Sequence, residues 1–134
     1  MPVGDFLDTN ILVYAATPES EHARRADALI TSGAVVSVQV LNEFTSTMSR
    51  KHKLSWPAIR HFLDGVRLVL TVTPLDEATH VAALHWVERH KLQWWDALVV
   101  ASALEAGCTR LLTQDMHAGL VIDGRLTVVN PFAG

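Results

Sequence analysis

Short apolar runs alternate along the chain with stretches whose apolar residues recur at helical spacing. Phe6-Leu7 opens a strand-like edge that runs into Asp8-Thr9-Asn10, and the short apolar segment Ile11 to Ala16 follows. Glu21 to Ile30 reads as a helix ending before Gly33, and Ala34-Val35-Val36 as a buried strand from its β-branched content. Ser37 caps a helix predicted to run to about Arg50, with Leu41, Phe44 and Met48 on one face. Ser55 caps the next, which tolerates Pro57 in its first turn and buries Ile59, Phe62, Leu63 and Val66. Leu68 to Val72 reads as a strand closed by Pro74. Asp76 starts a helix to about His90, and another runs from about Trp94 to Ala106, with Gly107 placed as a left-handed C-cap residue. Arg110 to Leu112 and Leu126 to Val129 are the last two strands.

Strands separated by helices imply βαβ units, and right-handed crossovers make the economical answer an α/β fold. The expected architecture is a three-layer sandwich with a central, mostly parallel sheet. No repeat, low-complexity tract or linker divides the chain, so residues 1–134 are expected to form a single domain. The glycines at 33, 65, 107, 119 and 124 never approach a GxGxxG spacing, and there is no P-loop. Nucleotide-cofactor folds lose most of their support.

Composition narrows the chemistry. At 49% apolar, a chain of this length builds a core without disulfides or metal staples. Eleven Lys and Arg against fourteen Asp and Glu leave a formal charge of −3, which is unlike a general polyanion binder. A nucleic-acid role therefore needs a local basic surface or a bound metal. Cys108 stands alone, which removes disulfide frameworks and Cys-based zinc sites. No apolar run approaches the ~18 residues that span a bilayer. The opening Met-Pro-Val-Gly-Asp has no basic leader region, so a cytoplasmic protein without membrane contact is expected.

Ligands of parallel sheets bind beyond the carboxyl ends of the strands. Asp8 directly follows Phe6-Leu7, and Asp115 follows Leu111-Leu112 after only Thr113-Gln114. Glu43 lies early in the helix after Val35-Val36, and Asp96 interrupts the apolar run from Trp94 to Ala101. Acids in apolar settings are paired or metal-bound when buried. An all-carboxylate cluster suits Mg²⁺ or Mn²⁺ over zinc. Each acid also has an ordinary structural reading. Asp8 and Asp96 serve as helix N-caps, Glu43 as a solvated first-turn acid and Asp115 as a turn residue. Arg50-Lys51-His52-Lys53 and Arg24-Arg25 read either as cations complementing helix dipoles or as a track for an RNA backbone. His117 reads as a solvated loop residue or a group near the site, and His22, His61 and His80 as surface positions. Trp94 and Trp95 point about 100° apart on a helix, so one belongs to the core and the other is free to stack on a base.

The segment Phe6 to Ala15 resembles the opening motif of PIN-domain nucleases, especially the VapC-type toxins of toxin–antitoxin pairs. Val40-Leu41-Asn42-Glu43-Phe44 resembles their second acidic motif, Trp95 to Ala103 the third, and Leu111 to Met116 the fourth. The resemblance implies that Asp8, Glu43, Asp96 and Asp115 bind metal, with Asn10 and Thr113 in support. It implies a Mg²⁺-dependent (or Mn²⁺-dependent) ribonuclease leaving a 5′-phosphate and a 3′-hydroxyl, a cognate antitoxin as partner, and a homodimer. Gln114 stands where an acid is common in such toxins, and no further acid follows shortly after Asp115. Two other classes stand beside this one. A non-catalytic PIN-like binding module keeps the fold without turnover. A phosphatase using Asp8 as covalent nucleophile requires an acid where this chain has Asn10.

Overall fold

The computed structural model describes residues 4–133; Met1–Val3, on which part of the N-terminal reading falls, and Gly134 lie outside the described residues. The elements run β1 (Asp5–Leu7), α1 (Thr9–Ala15), α2 (Ala23–Thr31), β2 (Val35–Ser37), α3 (Val38–Arg50), α4 (Trp56–Val69) and β3 (Thr71–Thr73). They continue with α5 (Glu77–His90), α6 (Trp94–Glu105), β4 (Arg110–Leu112), β5 (Val121–Ile122) and β6 (Leu126–Val129). The strands form one sheet in the order β3-β2-β1-β4-β6-β5. All neighbours are parallel except β5, which pairs antiparallel with β6. The expected mostly parallel α/β sandwich is the observed fold, a sheet flanked by helices. On its flanks α1 packs against α2 and α3, while α5 and α6 pack on each other.

Phe6 sits opposite Val35 on one side and Leu111 on the other, which places β1 in the middle of the sheet. Phe6, Leu7, Val36, Leu111 and Leu112 are essentially inaccessible, as a strand covered on both faces demands. Helix α6 is buried from Ala97 through Leu104, so it is apolar on every side and passes through the core. Among the described residues no helix is long and apolar enough to cross a membrane.

The capping residues act as their positions predict. The Ser37 hydroxyl accepts the Val40 N–H at 3.3 Å, and Ser55 accepts the Ala58 N–H at 3.3 Å. Asp76 caps α5 in a capping box with Thr79. Gly107 takes φ +77°, the left-handed conformation predicted for it. Because Ser37 is fully buried, Ser37→Ala strands one helix N–H, and stability falls by about 1–2 kcal/mol in urea unfolding. An unchanged midpoint means that another group takes over the cap.

Four local expectations need correction. The strand expected at Leu68 to Val72 begins at Thr71, because α4 carries its ladder through Val69 and the Leu70 N–H still bonds to the Val66 carbonyl at 2.8 Å. Pairing with β2, Val35 opposite Thr71, sets where the strand starts. The strand β5 was not expected; Asp123 and Gly124, both at positive φ, make the tight turn that folds it onto β6. Helix α2 begins at Ala23, two residues later than the pattern suggests. His22 is not a surface position: it is half-buried, stacked on Phe132 with ring centroids 4.4 Å apart, and edge-on to Tyr14 at 4.9 Å. His61 and His80 are exposed, as expected.

Candidate functional site

At the carboxyl edge of the central strands, Asp8 emerges from β1 and is buried, with only 6% exposure. Its backbone N–H continues the ladder to the Leu112 carbonyl at 3.1 Å. Its carboxylate caps α1 by accepting the Thr9 N–H at 2.7 Å, and its second oxygen accepts the Thr113 hydroxyl at 2.8 Å. The capping reading of Asp8 is therefore correct, and it leaves the carboxylate at the strand edge. Thr113, fully buried just after β4, accepts the Asp115 N–H and the Asn10 side-chain N–H, both at 3.1 Å. Asn10 also donates to the Asp115 carboxylate at 3.1 Å and accepts the Gln114 N–H at 3.3 Å. A threonine and an asparagine thus tie the loop after β4 to the start of α1.

Glu43 reaches the same edge from α3, half-buried, and accepts the Gln39 amide N–H at 3.2 Å. It is no simple solvated acid. Asp96 is the third residue of α6; the cap position belongs to Gln93, so the capping reading of Asp96 is corrected. Asp115 is exposed.

The four carboxylates act on one another. Burial pushes Asp8 up to about 7, against the lowering effect of its Thr113 and Thr9 hydrogen bonds, and Glu43 and Asp96 push it further up. Burial also raises Glu43, with Gln39 opposing and the charges of Asp96 and Asp115 adding. Asp96 is raised by burial and then by Asp115. Among the described residues no Lys, Arg or His contributes to any of these shifts. Among the described residues no three His, Cys, Asp or Glu side chains form a ready-made chelate. The donor chemistry nevertheless fits a hard divalent cation: carboxylate oxygens in a partly desolvated cluster whose excess charge only an added cation offsets.

Two open cavities adjoin the acids. One, of about 390 Å³, is lined by Asn10, Tyr14, Glu43, Asp115, Lys51 and His52 among others. The other, of about 460 Å³, is lined by Asn42, Glu43, Ser46, Arg50 and Trp95. The basic run 50–53 is exposed, and Trp95 is 55% exposed while Trp94 is half-buried, as the helical offset predicts. Arg25 instead donates to the Pro131 carbonyl at 3.4 Å and helps seat the C-terminal segment. His117 is exposed and lines neither cavity. Two contacts of the site join residues that the sequence pattern does not single out. Gln39 stands one helical turn before Glu43, a spacing that could have shown the pair. Tyr14 donates its hydroxyl to the Gln114 side chain across the chain's length, which no local pattern announces.

The family profile described as the PIN domain matches residues 6–118. The chain belongs to the PIN domain family. This PIN domain is similar to the solved structure of VapC20 from Mycobacterium tuberculosis, a sarcin–ricin loop cleaving toxin, at 21% identity and a TM-score of 0.67. That match covers 81% of this chain and 87% of the other. It is similar to a toxin–antitoxin complex from Klebsiella pneumoniae at 18% identity and a TM-score of 0.72, covering 96% and 98% of the two chains. It also matches DNA-bound VapBC from Salmonella typhimurium at 20% identity and a TM-score of 0.63, covering 95% and 98%. At these identities the likeness is one of fold. Compared with curated proteins, the PIN domain's sequence finds no significant relative.

Proposed function

We propose that this PIN domain is a metal-dependent endoribonuclease and the toxin half of a toxin–antitoxin pair, acting as one domain over residues 1–134. The observation that carries the reading is the mutually repelling set Asp8, Glu43, Asp96 and Asp115 at the carboxyl edge of the sheet, with no described Lys, Arg or His offsetting the rise of Asp8, Glu43 and Asp96. Those four acids would hold Mg²⁺, or Mn²⁺ in its place. A divalent cation bound there supplies activation of water and neutralisation of the charge that builds on a phosphodiester in the transition state. Asn10 and Thr113 are positioning residues: their hydrogen bonds hold Asp8 and Asp115 in fixed relation across two loops. Hydrolysis in this class leaves a 5′-phosphate and a 3′-hydroxyl.

The similar structure from Klebsiella pneumoniae is a toxin–antitoxin complex, which supports a cognate antitoxin as partner; the working unit we propose is a homodimer. The phosphatase reading loses ground on geometry as well as on motif. Both oxygens of Asp8 are engaged, and Asn10, where that class needs an acid, is bonded to Thr113 and Asp115.

The test is cleavage of single-stranded RNA by the purified protein. EDTA abolishes cleavage, and Mg²⁺ or Mn²⁺ added in excess restores it. Full cleavage in EDTA overturns the metal-dependent reading. An inert protein in every metal leaves the binding-module alternative in its place.

A further inference from the structure

Strands β4 and β6 are parallel neighbours, so the loop after β4 and the segment after β6 leave the sheet at the same carboxyl edge. The loop carries Thr113, Gln114 and Asp115, and the segment carries Asn130, Pro131 and Phe132. Asp115 is exposed and lies in neither helix nor strand, so its place depends on what holds the loop. The buried side chains of Thr113 and Met116 fix the loop on either side of it.

Helix α1 meets the same loop at two positions one turn apart. Asn10 and Tyr14 are four residues apart and share a face of the helix, about 6 Å from each other along its axis. Asn10 uses both amide hydrogens on Thr113 and Asp115 and accepts the Gln114 N–H. Tyr14 adds a separate tie by donating its hydroxyl to Oε1 of Gln114. The Tyr14 ring is itself held edge-on between His22 and Phe132, at centroid distances of 4.9 and 5.2 Å. Phe132 is seated in turn by His22, which stacks on it, and by Asn130, which accepts its N–H at 3.0 Å. A run of contacts therefore leads from the segment after β6, through Tyr14 and Gln114, to the residue beside Asp115. The tie is neutral, so it puts no cation beside the acids to compete with one arriving from solution.

We infer that Tyr14 is a positioning residue for the divalent-cation site, holding Asp115 in place through the side chain of Gln114. The inference rests on the metal-dependent reading and extends it to a contact that touches no proposed metal ligand. A carboxylate on an exposed loop must be ordered before it serves a cation, and a loop ordered beforehand binds more tightly because less freedom is lost. Hydrogen bonds behind the ligands of a metal site act on affinity in this way.

The experiment titrates each protein with Mn²⁺ and reads the free ion by its electron paramagnetic resonance signal, with no RNA present. Tyr14→Phe keeps the ring that packs on His22 and Phe132 and removes only the hydroxyl. It raises the Kd for Mn²⁺ on the order of 10-fold, a reduction and not a loss, because the Asn10 bonds remain. Gln114→Ala raises it by a similar factor, and adding Tyr14→Phe to Gln114→Ala raises it no further, as two halves of one contact require. Thr17→Val, which removes a hydroxyl bonded to the Val13 carbonyl on the same helix, keeps the parent's Kd. Melts in EDTA close to the parent's separate the effect from unfolding, and Gln114→Ala, in a half-buried loop position, carries the test if Tyr14→Phe folds poorly. A parent that binds Mn²⁺ while Tyr14→Phe and Gln114→Ala bind it equally well overturns the positioning role and leaves the metal reading standing. A full further loss from Tyr14→Phe in the Gln114→Ala background overturns it too, because Tyr14 then acts by another route. A parent that binds no Mn²⁺ overturns both.

Discussion

Asp96→Asn slows RNA cleavage at saturating Mg²⁺ by on the order of 10³-fold or more, and Asp8→Asn does the same. The magnitude follows from what the substitution removes. An amide keeps the size and shape of the side chain and one oxygen, but it takes away the charge that a divalent cation needs as counterpart. Asp96 caps nothing, so its loss leaves the start of α6 intact. Asp8 does cap α1, yet an asparagine caps nearly as well through its carbonyl oxygen, giving up only the bond from the Thr113 hydroxyl, whose two lone pairs are taken by Asn10 and Asp115. A structural cause for lost activity is thereby made small in both variants. Single-turnover rates, read beside circular dichroism of each protein, measure the effect. Asp64→Asn, on an exposed acid of α4 paired with Arg67, keeps the parent's rate. Rates for Asp8→Asn and Asp96→Asn within tenfold of the parent would remove these acids from the catalytic machinery.

What the sequence made legible was the alternation of strand and helix, because three-residue strands still announce themselves through Val35-Val36 or Leu111-Leu112. The positions of the acids at strand ends were legible for the same reason: a carboxylate that interrupts or terminates a buried apolar run has few places to go. Boundaries were harder. The run Val66 to Val72 is apolar nearly throughout, so its period does not say where helix gives way to strand, and only the register with β2 decides it. The hairpin of β5 was readable in Asp123-Gly124 but was hidden by a strand of two residues. Contacts between distant segments were out of reach, since Tyr14 with Gln114, and His22 with Phe132, are joined by the fold and by no local spacing.

Without divalent metal, the folded protein loses stability as pH rises from about 4 to about 7, and Asp8→Asn removes most of that loss. The sign follows from linkage. Asp8 has a folded pKa of about 7 against an ordinary value of 3.8, so between those limits the native state holds a proton that the unfolded chain has released. The Asp8 contribution to stability then falls with pH: it is fully present below about 4 and lost above about 7, where the native state carries the buried charge. Glu43 and Asp96 are raised as well and add in the same direction. Three pH units for a buried carboxyl correspond to roughly 4 kcal/mol, an order-of-magnitude figure. Asn in place of Asp8 carries no charge, so its melting temperature at pH 8 lies above the parent's. Adding Mg²⁺ reverses the ranking. A ligand that binds only the folded state stabilises by RT ln(1 + [L]/Kd), so the parent's melting temperature climbs with Mg²⁺ at fixed ionic strength. Asp8→Asn and Asp96→Asn lose most of that climb, while Asp64→Asn retains it. A melting temperature of the parent that is flat from pH 4 to 8 would show that Asp8 is not strained by burial. Parallel Mg²⁺ curves for the parent, Asp8→Asn and Asp96→Asn would show that these acids share no metal, and would leave Asp8 as a helix cap alone.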